Sequence, residues 1–165
     1  MNNNGIPDEC ERPPGARSCF CPSSAPPPCS NPDPAAGCAN STGVGGRLDG
    51  LGSDSTSNDD LMLVASQLPH SVNGMWLMSG STTQVPLGDG LRCVASPIYR
   101  YGLFNSGSSG IGTKGPELVG SSCGLPGGCI VPGTTRHFQA WYRNTAGPCG
   151  HGSNVTNLLT VTFTP

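Results

Sequence analysis

Two stretches decide the fold: Thr134–Asn144, TTRHFQAWYRN, and Asn157–Thr164, NLLTVTFT. In the second, Leu159, Val161 and Phe163 alternate with Thr160 and Thr162. Period-two alternation of β-branched and aromatic residues is how a strand with one buried face reads. In the first, Phe138, Ala140 and Tyr142 fall on one side, and His137, Gln139, Trp141 and Arg143 on the other. That spacing predicts a long strand with one apolar and one mixed face. The two runs are expected to share a sheet at the centre of an all-β domain.

Further strands are expected toward the N-terminus, at Ile98–Phe104, Leu91–Val94, Met75–Met78, Leu61–Leu68 and the Gly-rich Val44–Leu51. Trp76 is a large anchor, in the core or on the surface. Leu87-Gly88-Asp89-Gly90-Leu91 carries the Asp-Gly signal of a tight hairpin. Asn105–Gly115, NSGSSGIGTKG, reads as a flexible loop. Ser53–Asp60, SDSTSNDD, reads as a solvated turn, although Asp54, Thr56 and Asn58 have the spacing of oxygen ligands. About eight short strands separated by turn signals predict an antiparallel, jelly-roll-like β-sandwich over residues 41–165. Gly, Pro, Ser and Thr interrupt every window long enough for a substantial helix.

Residues 12–40, RPPGARSCFCPSSAPPPCSNPDPAAGCAN, form a Pro/Cys-rich arm or linker. Its prolines favour extended geometry and forbid a central strand. It is too poor in apolar residues to hold a core, so its order must come from disulfides or from lying along another surface. Residues 1–11 read as a partial calcium loop. With Gly5 at position 6 of an EF-type loop, Asn2, Asn4, Ile6 (through its carbonyl), Asp8 and Glu11 fall at ligand positions 3, 5, 7, 9 and 12. Position 1 would fall before Met1, so a parent chain reaching further upstream or an assembled neighbour would supply it. Calcium affinity is expected to be weak, and no cofactor is required.

Composition narrows the function. Charged residues make up 11%, Lys114 is the sole lysine and the net charge is −2. No basic stripe exists to attract nucleic acid or a membrane surface. No apolar run is long enough to span a bilayer. MNNNGIP lacks the basic and apolar regions of a signal peptide, so a secreted protein of this sequence reads as a processed chain or a fragment. Gly 25 and Pro 17 make about a quarter of the 165 residues, near the low-complexity range, but the alternation in the second half argues for order.

Nine cysteines, Cys10, Cys19, Cys21, Cys29, Cys38, Cys93, Cys123, Cys129 and Cys149, sit among turns without the spacing of zinc knuckles. Disulfides and an oxidising, extracellular compartment follow. Cys29 with Cys38 and Cys123 with Cys129 are local pairs by spacing, and four bridges with one odd thiol are expected. Asn40-Ser41-Thr42 and Asn154-Val155-Thr156 are glycosylation sequons consistent with that compartment.

Catalytic signatures are weak. Gly120-Ser121-Ser122-Cys123-Gly124 matches a nucleophile elbow by letter, but Leu125-Pro126-Gly127-Gly128 cannot be the helix that motif requires. His70, His137 and His151 occur in unrelated contexts, and Cys149-Gly150-His151 offers two metal ligands only if Cys149 is unbridged. Glu117 is the sole glutamate beyond residue 11, so paired carboxylates for glycoside cleavage are not in view.

Taken as an ordered series, GCANSTG at 37–43, LGDGLRC at 87–93, WYRN at 141–144 and PCGHGSNVTNLLTVTFTP at 148–165 resemble a C-terminal β module of large secreted proteins of Planctomycetes and related bacteria. NGIPDEC at 4–10 is similar to the end of dockerin-like or thrombospondin type 3 calcium repeats. The resemblance implies an extracellular, non-catalytic module and suggests pairing Cys93 with Cys149, each beside one of its strongest motifs. Two functions are then expected. The first is a structural or adhesive subunit that forms homo-oligomers or filaments through its arm and sheet edges. The alternative is a carbohydrate-binding module that meets glycan through Trp76, Trp141 and Tyr142.

Overall fold

The computed structural model describes residues 13–22 and 28–165. Its centre is the long run read above. Strand β9 (Thr135–Arg143) pairs antiparallel with β11 (Leu158–Thr162), with Leu159 opposite Phe138 and Thr160 opposite His137. Phe138, Ala140, Tyr142, Leu159, Val161 and Phe163 are all buried, so both alternations point inward as their spacing requires. On its other side β9 pairs with β4 (Asn73–Ser79), and β4 with β7 (Tyr99–Asn105). Short β10 (Ser153–Val155) pairs antiparallel with the Trp141–Arg143 end of β9, and β1 (Ala16–Ser18) adds to β11. The central sheet thus runs β1-β11-β9-β4-β7.

A second antiparallel sheet, β2 (Arg47–Leu51), β3 (Met62–Ser66) and β8 (Gly112–Lys114), packs on the inner face of the first. Leu48, Leu63 and Ala65 of that sheet meet Trp76, Met78, Phe138 and Tyr142 in the main core. Phe104 crosses the seam against Trp76, ring centroids 5.0 Å apart. Gly74 and Gly112 make room for it, since a Cβ at either would enter its ring. Helix α1 (Leu118–Ser122) closes one end by burying Leu118.

The hairpin of β5 (Thr82–Leu87) and β6 (Gly90–Val94) turns at Gly88-Asp89, as the Asp-Gly signal predicts. It lies across the outer face of the central sheet, where Leu77, Leu91, Cys93, Val94 and Leu158 form a second core with Cys21 and Cys38. The protein is therefore an all-β sandwich of antiparallel sheets whose central sheet is covered on both faces. Three strands of three residues each, β1, β8 and β10, raise the number above the expected eight.

Two expectations are corrected. Asn105–Gly115 is not a free loop: Ser106 is buried, its hydroxyl donates to the Pro69 carbonyl, and Leu68 N–H donates to the Gly110 carbonyl before β8 begins. Nor does the described part of the arm stand apart from the domain. β1 joins the central sheet, and bridges Cys19–Cys93 and Cys29–Cys149 fasten the segment at two further points.

The bridge pattern corrects two pairings and supports a third. Cys123–Cys129 forms as its spacing suggested. Cys38 pairs with Cys21 rather than Cys29, Cys29 pairs with Cys149, and Cys93 pairs with Cys19 rather than Cys149. Cys19 and Cys29 bond to the parts of the domain they meet, the hairpin and the 144–152 loop, whereas Cys21 and Cys38 bridge to each other within the arm. Cys93 faces the second core where Cys19 passes, whereas Cys29 lies at the exposed rim beside Cys149. Cys10 and the calcium-loop residues Asn2, Asn4, Ile6, Asp8 and Glu11 lie outside the described residues.

Candidate functional site

The proposed sugar-stacking aromatics separate by strand parity. Trp76 and Tyr142 point into the main core, 1% and 0% exposed, and neither can meet a ligand. Tyr142 O–H takes part in the core's hydrogen bonding, receiving the Asn40 amide at 3.1 Å, and burial pushes its pKa well above the ordinary value. Trp141 has the opposite parity. It is half-buried at the margin of the second core, with the Arg143 guanidinium 5.6 Å from its ring centroid. Of the three, Trp141 alone reaches the surface.

The sequon asparagines are also corrected. Asn40 and Asn154 are 3% and 0% exposed. The Asn40 amide nitrogen donates to the Gln67 carbonyl at 2.9 Å, and the Asn154 amide nitrogen to the Cys38 carbonyl at 3.1 Å. A glycan on either nitrogen would have to occupy the interior, so these residues are structural in the folded domain.

They belong to a set of buried amides that sequence reasoning missed. Gln139, 0% exposed, donates to the Leu91 and Thr156 carbonyls at 2.8 and 2.7 Å and accepts from Cys93 N–H at 2.9 Å. Asn157 accepts from Leu48 N–H at 2.8 Å and donates to the Leu48 carbonyl at 3.1 Å, filling the place of a strand beside β2. Asn31 donates to the Ala39 and Asp89 carbonyls. For Gln139, Asn154 and Asn157 the one signal was the position of an amide residue within or beside a run of otherwise apolar alternation, and Asn31 and Asn40, in the Pro/Cys-rich arm, carried none.

The remaining candidate motifs resolve into structural contacts. Asp89 is fully buried, and its carboxylate accepts from Cys149 N–H, His151 N–H and His151 Nδ1 at 3.1–3.3 Å. The side chains of Asp89, Cys149 and His151 converge. Cys149, however, spends its sulfur in the bridge to Cys29, so the cluster clamps the 144–152 loop and cannot offer a thiolate. His70 and His137 lie elsewhere. His137 bonds to Thr160 Oγ1 at 2.8 Å, and burial lowers its pKa.

Within the nucleophile-like GSSCG, Ser122 is buried, donates to the Val119 carbonyl and accepts from Ile130 N–H. In SDSTSNDD, Asp54 accepts from Thr164 Oγ1, and Thr56 donates to the Thr164 carbonyl, so the turn holds the end of the chain. Asp59 accepts from Val119 and Gly120 N–H at 2.7 and 2.9 Å, capping α1 from a distant segment. Tyr101 donates to the Leu118 carbonyl and meets Ser121 Oγ at 2.9 Å. Burial raises its pKa to about 12, with the Ser121 bond opposing and the Asp59 charge adding. Lys114 lies 4.3 Å from the Tyr101 ring centroid, and burial lowers its pKa.

An open groove of about 440 Å³ runs between Pro13, Pro14, Leu51 and Val64. Its charges neutralise one another, with Asp49 3.3 Å from Arg17 and 2.8 Å from Arg47. Among the described residues no helix is long and apolar enough to cross a membrane. Compared with models of known families, with curated proteins and with solved structures, the chain shows no significant match to any.

Proposed function

We propose that the chain is a non-catalytic structural and adhesive module of the extracellular space, which joins neighbours through its sheet edges. The disulfide framework carries this reading. Eight cysteines are engaged in four bridges, a density typical of domains that work in an oxidising compartment. The resemblance to secreted bacterial modules supports the same compartment. Self-association through an edge draws support from β7, a seven-residue outer strand with no strand beyond it among the described residues. The opposite edge, β1, has three residues and follows Pro13-Pro14, which blunts it. Exchange of the arm between molecules draws less support, because the described arm is bridged to its own domain. For residues 1–11 the half-loop supports weak calcium binding at most.

The test is electron microscopy and sedimentation velocity on protein isolated from its source, with a reducing control. Fibres, sheets or concentration-dependent oligomers are expected. A strict monomer at every concentration overturns self-association, and nine alkylatable thiols in the native protein overturn the compartment. The carbohydrate reading is favoured by one observation, the half-exposed Trp141.

A further inference from the structure

The β5–β6 hairpin leaves one end of the central sheet's outer face open. Gln139 and Leu77 lie beneath it, 0% and 8% exposed, but the next rank of side chains emerges. Strand register sets Trp141 of β9 beside Met75 of β4, and Met75 beside Leu103 of β7. Trp141 and Met75 are half-buried, whereas Leu103 is 79% exposed. One rank further along the same strands and face stand Arg143, Asn73 and Asn105, all exposed. Asn105 donates to Asn73 Oδ1 at 2.8 Å, leaving the Asn73 NH₂ group available. Arg100, also exposed, shares this face, opposite Leu77.

The electrostatics of this face are one-sided. β4, β7 and β9 contain no Asp or Glu. Neither Arg100 nor Arg143 has an ion-pair partner among the described residues. In a chain of net charge −2, this patch is locally cationic.

We propose that the platform binds an acidic glycan, an oligosaccharide bearing uronate carboxylates. The apolar row matches the C–H face of a pyranose ring, and Trp141 supplies the aromatic edge. The arginine forks match carboxylates, and the Asn73 amide matches ring hydroxyls. Size argues against a second protein copy as the occupant. The row spans two interstrand spacings, about 10 Å, by one rank of about 7 Å. A stable protein interface needs about 800 Å² from each partner. The footprint is that of a short oligosaccharide.

The inference rests on the extracellular adhesive reading for the kind of ligand the surface meets. Calorimetric titration of the native, disulfide-bonded protein with oligogalacturonides tests it, with cello-oligosaccharides as the neutral control. Expected is saturable binding of the acidic sugar, roughly tenfold or more tighter than the neutral one and weakening as salt rises. The Arg100→Ala/Arg143→Ala double variant is expected to weaken binding about tenfold and flatten its salt dependence. Trp141→Leu should weaken it comparably; since Trp141 also packs in the second core, the exposed arginine pair is the decisive variant. Three results overturn the inference: no oligogalacturonide binding, equal binding of the neutral sugar, or binding indifferent to the arginines. Dimerisation blocked by the arginine substitutions, without sugar binding, assigns the face to a second copy and also overturns it. Thiol mapping and sedimentation of the same preparation test the broader reading separately, so a bridged, self-associating protein that binds no sugar refutes this inference alone.

Discussion

Replacing Gln139 with leucine separates the two ways in which the central sheet is held. The side chain is fully buried beneath the hairpin and makes three short hydrogen bonds to backbone, to Leu91, Cys93 and Thr156. Leucine keeps the approximate volume and removes all three. The Cys93 N–H and the carbonyls of Leu91 and Thr156 then stay buried without those partners. Each such group costs about 1–3 kcal/mol. The added apolar burial recovers about 1–2 kcal/mol, so a net loss of roughly 4 kcal/mol is expected for the three groups together. That is a large share of the roughly 5–15 kcal/mol that stabilises a typical domain. Urea denaturation of the oxidised protein measures it, read as a shift in midpoint at unchanged slope. A loss below about 1 kcal/mol would refute the reasoning, because the hairpin would then be held by apolar contact and by Cys19–Cys93 without help from the amide.

Other consequences are equally open to measurement. Intact mass of protein from its native host should show no glycan at Asn40 or Asn154, whose amide nitrogens are committed inside the domain. Under mild reduction, alkylation should reach Cys123 and Cys29 first, because both are exposed, and Cys21 and Cys38 last, at 1% and 0% exposure; early labelling of Cys38 would contradict the packing. Asp59→Ala should cost roughly 0.5–2 kcal/mol by uncapping α1, as a melting curve would show. For Tyr101 the folded pKa, about 12, lies above the ordinary value of 10.0, so its protonated form favours folding. That stability is complete below pH 10.0 and is lost as pH rises toward 12, so tyrosinate absorbance near pH 11 should increase on unfolding.

How far the sequence could be read depended on whether one strand face differed from the other. In β9 and β11 it did, and Phe138, Ala140, Tyr142, Leu159, Val161 and Phe163 lie where the alternation put them. The same parity placed Trp141 with Gln139 and Arg143 on the mixed face, and Tyr142 inward, which removes Tyr142 from any ligand site. In β4 both faces are apolar, Met75 and Leu77 on one and Trp76 and Met78 on the other, so alternation could not say which way Trp76 turned. A strand covered on both faces loses the contrast that makes period two legible. Disulfide pairing was hidden for a different reason. For Cys19 and Cys29 it depends on which part of the folded domain each meets, Cys93 or Cys149, and chain distance carries no information about that.

Buried amides account for much of what remains. Gly and Pro leave many backbone groups outside regular ladders, and a group buried without a partner is costly. Asn31, Asn40, Asn154, Asn157 and Gln139 bond to the backbone at such places, most plainly where Asn157 bonds both backbone groups of Leu48 as a neighbouring strand would. In the sequence these residues resemble surface polars or glycosylation sites. Their roles appear only once the strands beside them are in place, and that dependence also separates the buried candidates, Trp76, Tyr142, Asn40 and Asn154, from the exposed rank beside Trp141. The proposed glycan surface lies where the hairpin and the amides leave the central sheet uncovered, with the Trp141–Met75–Leu103 row on that open end.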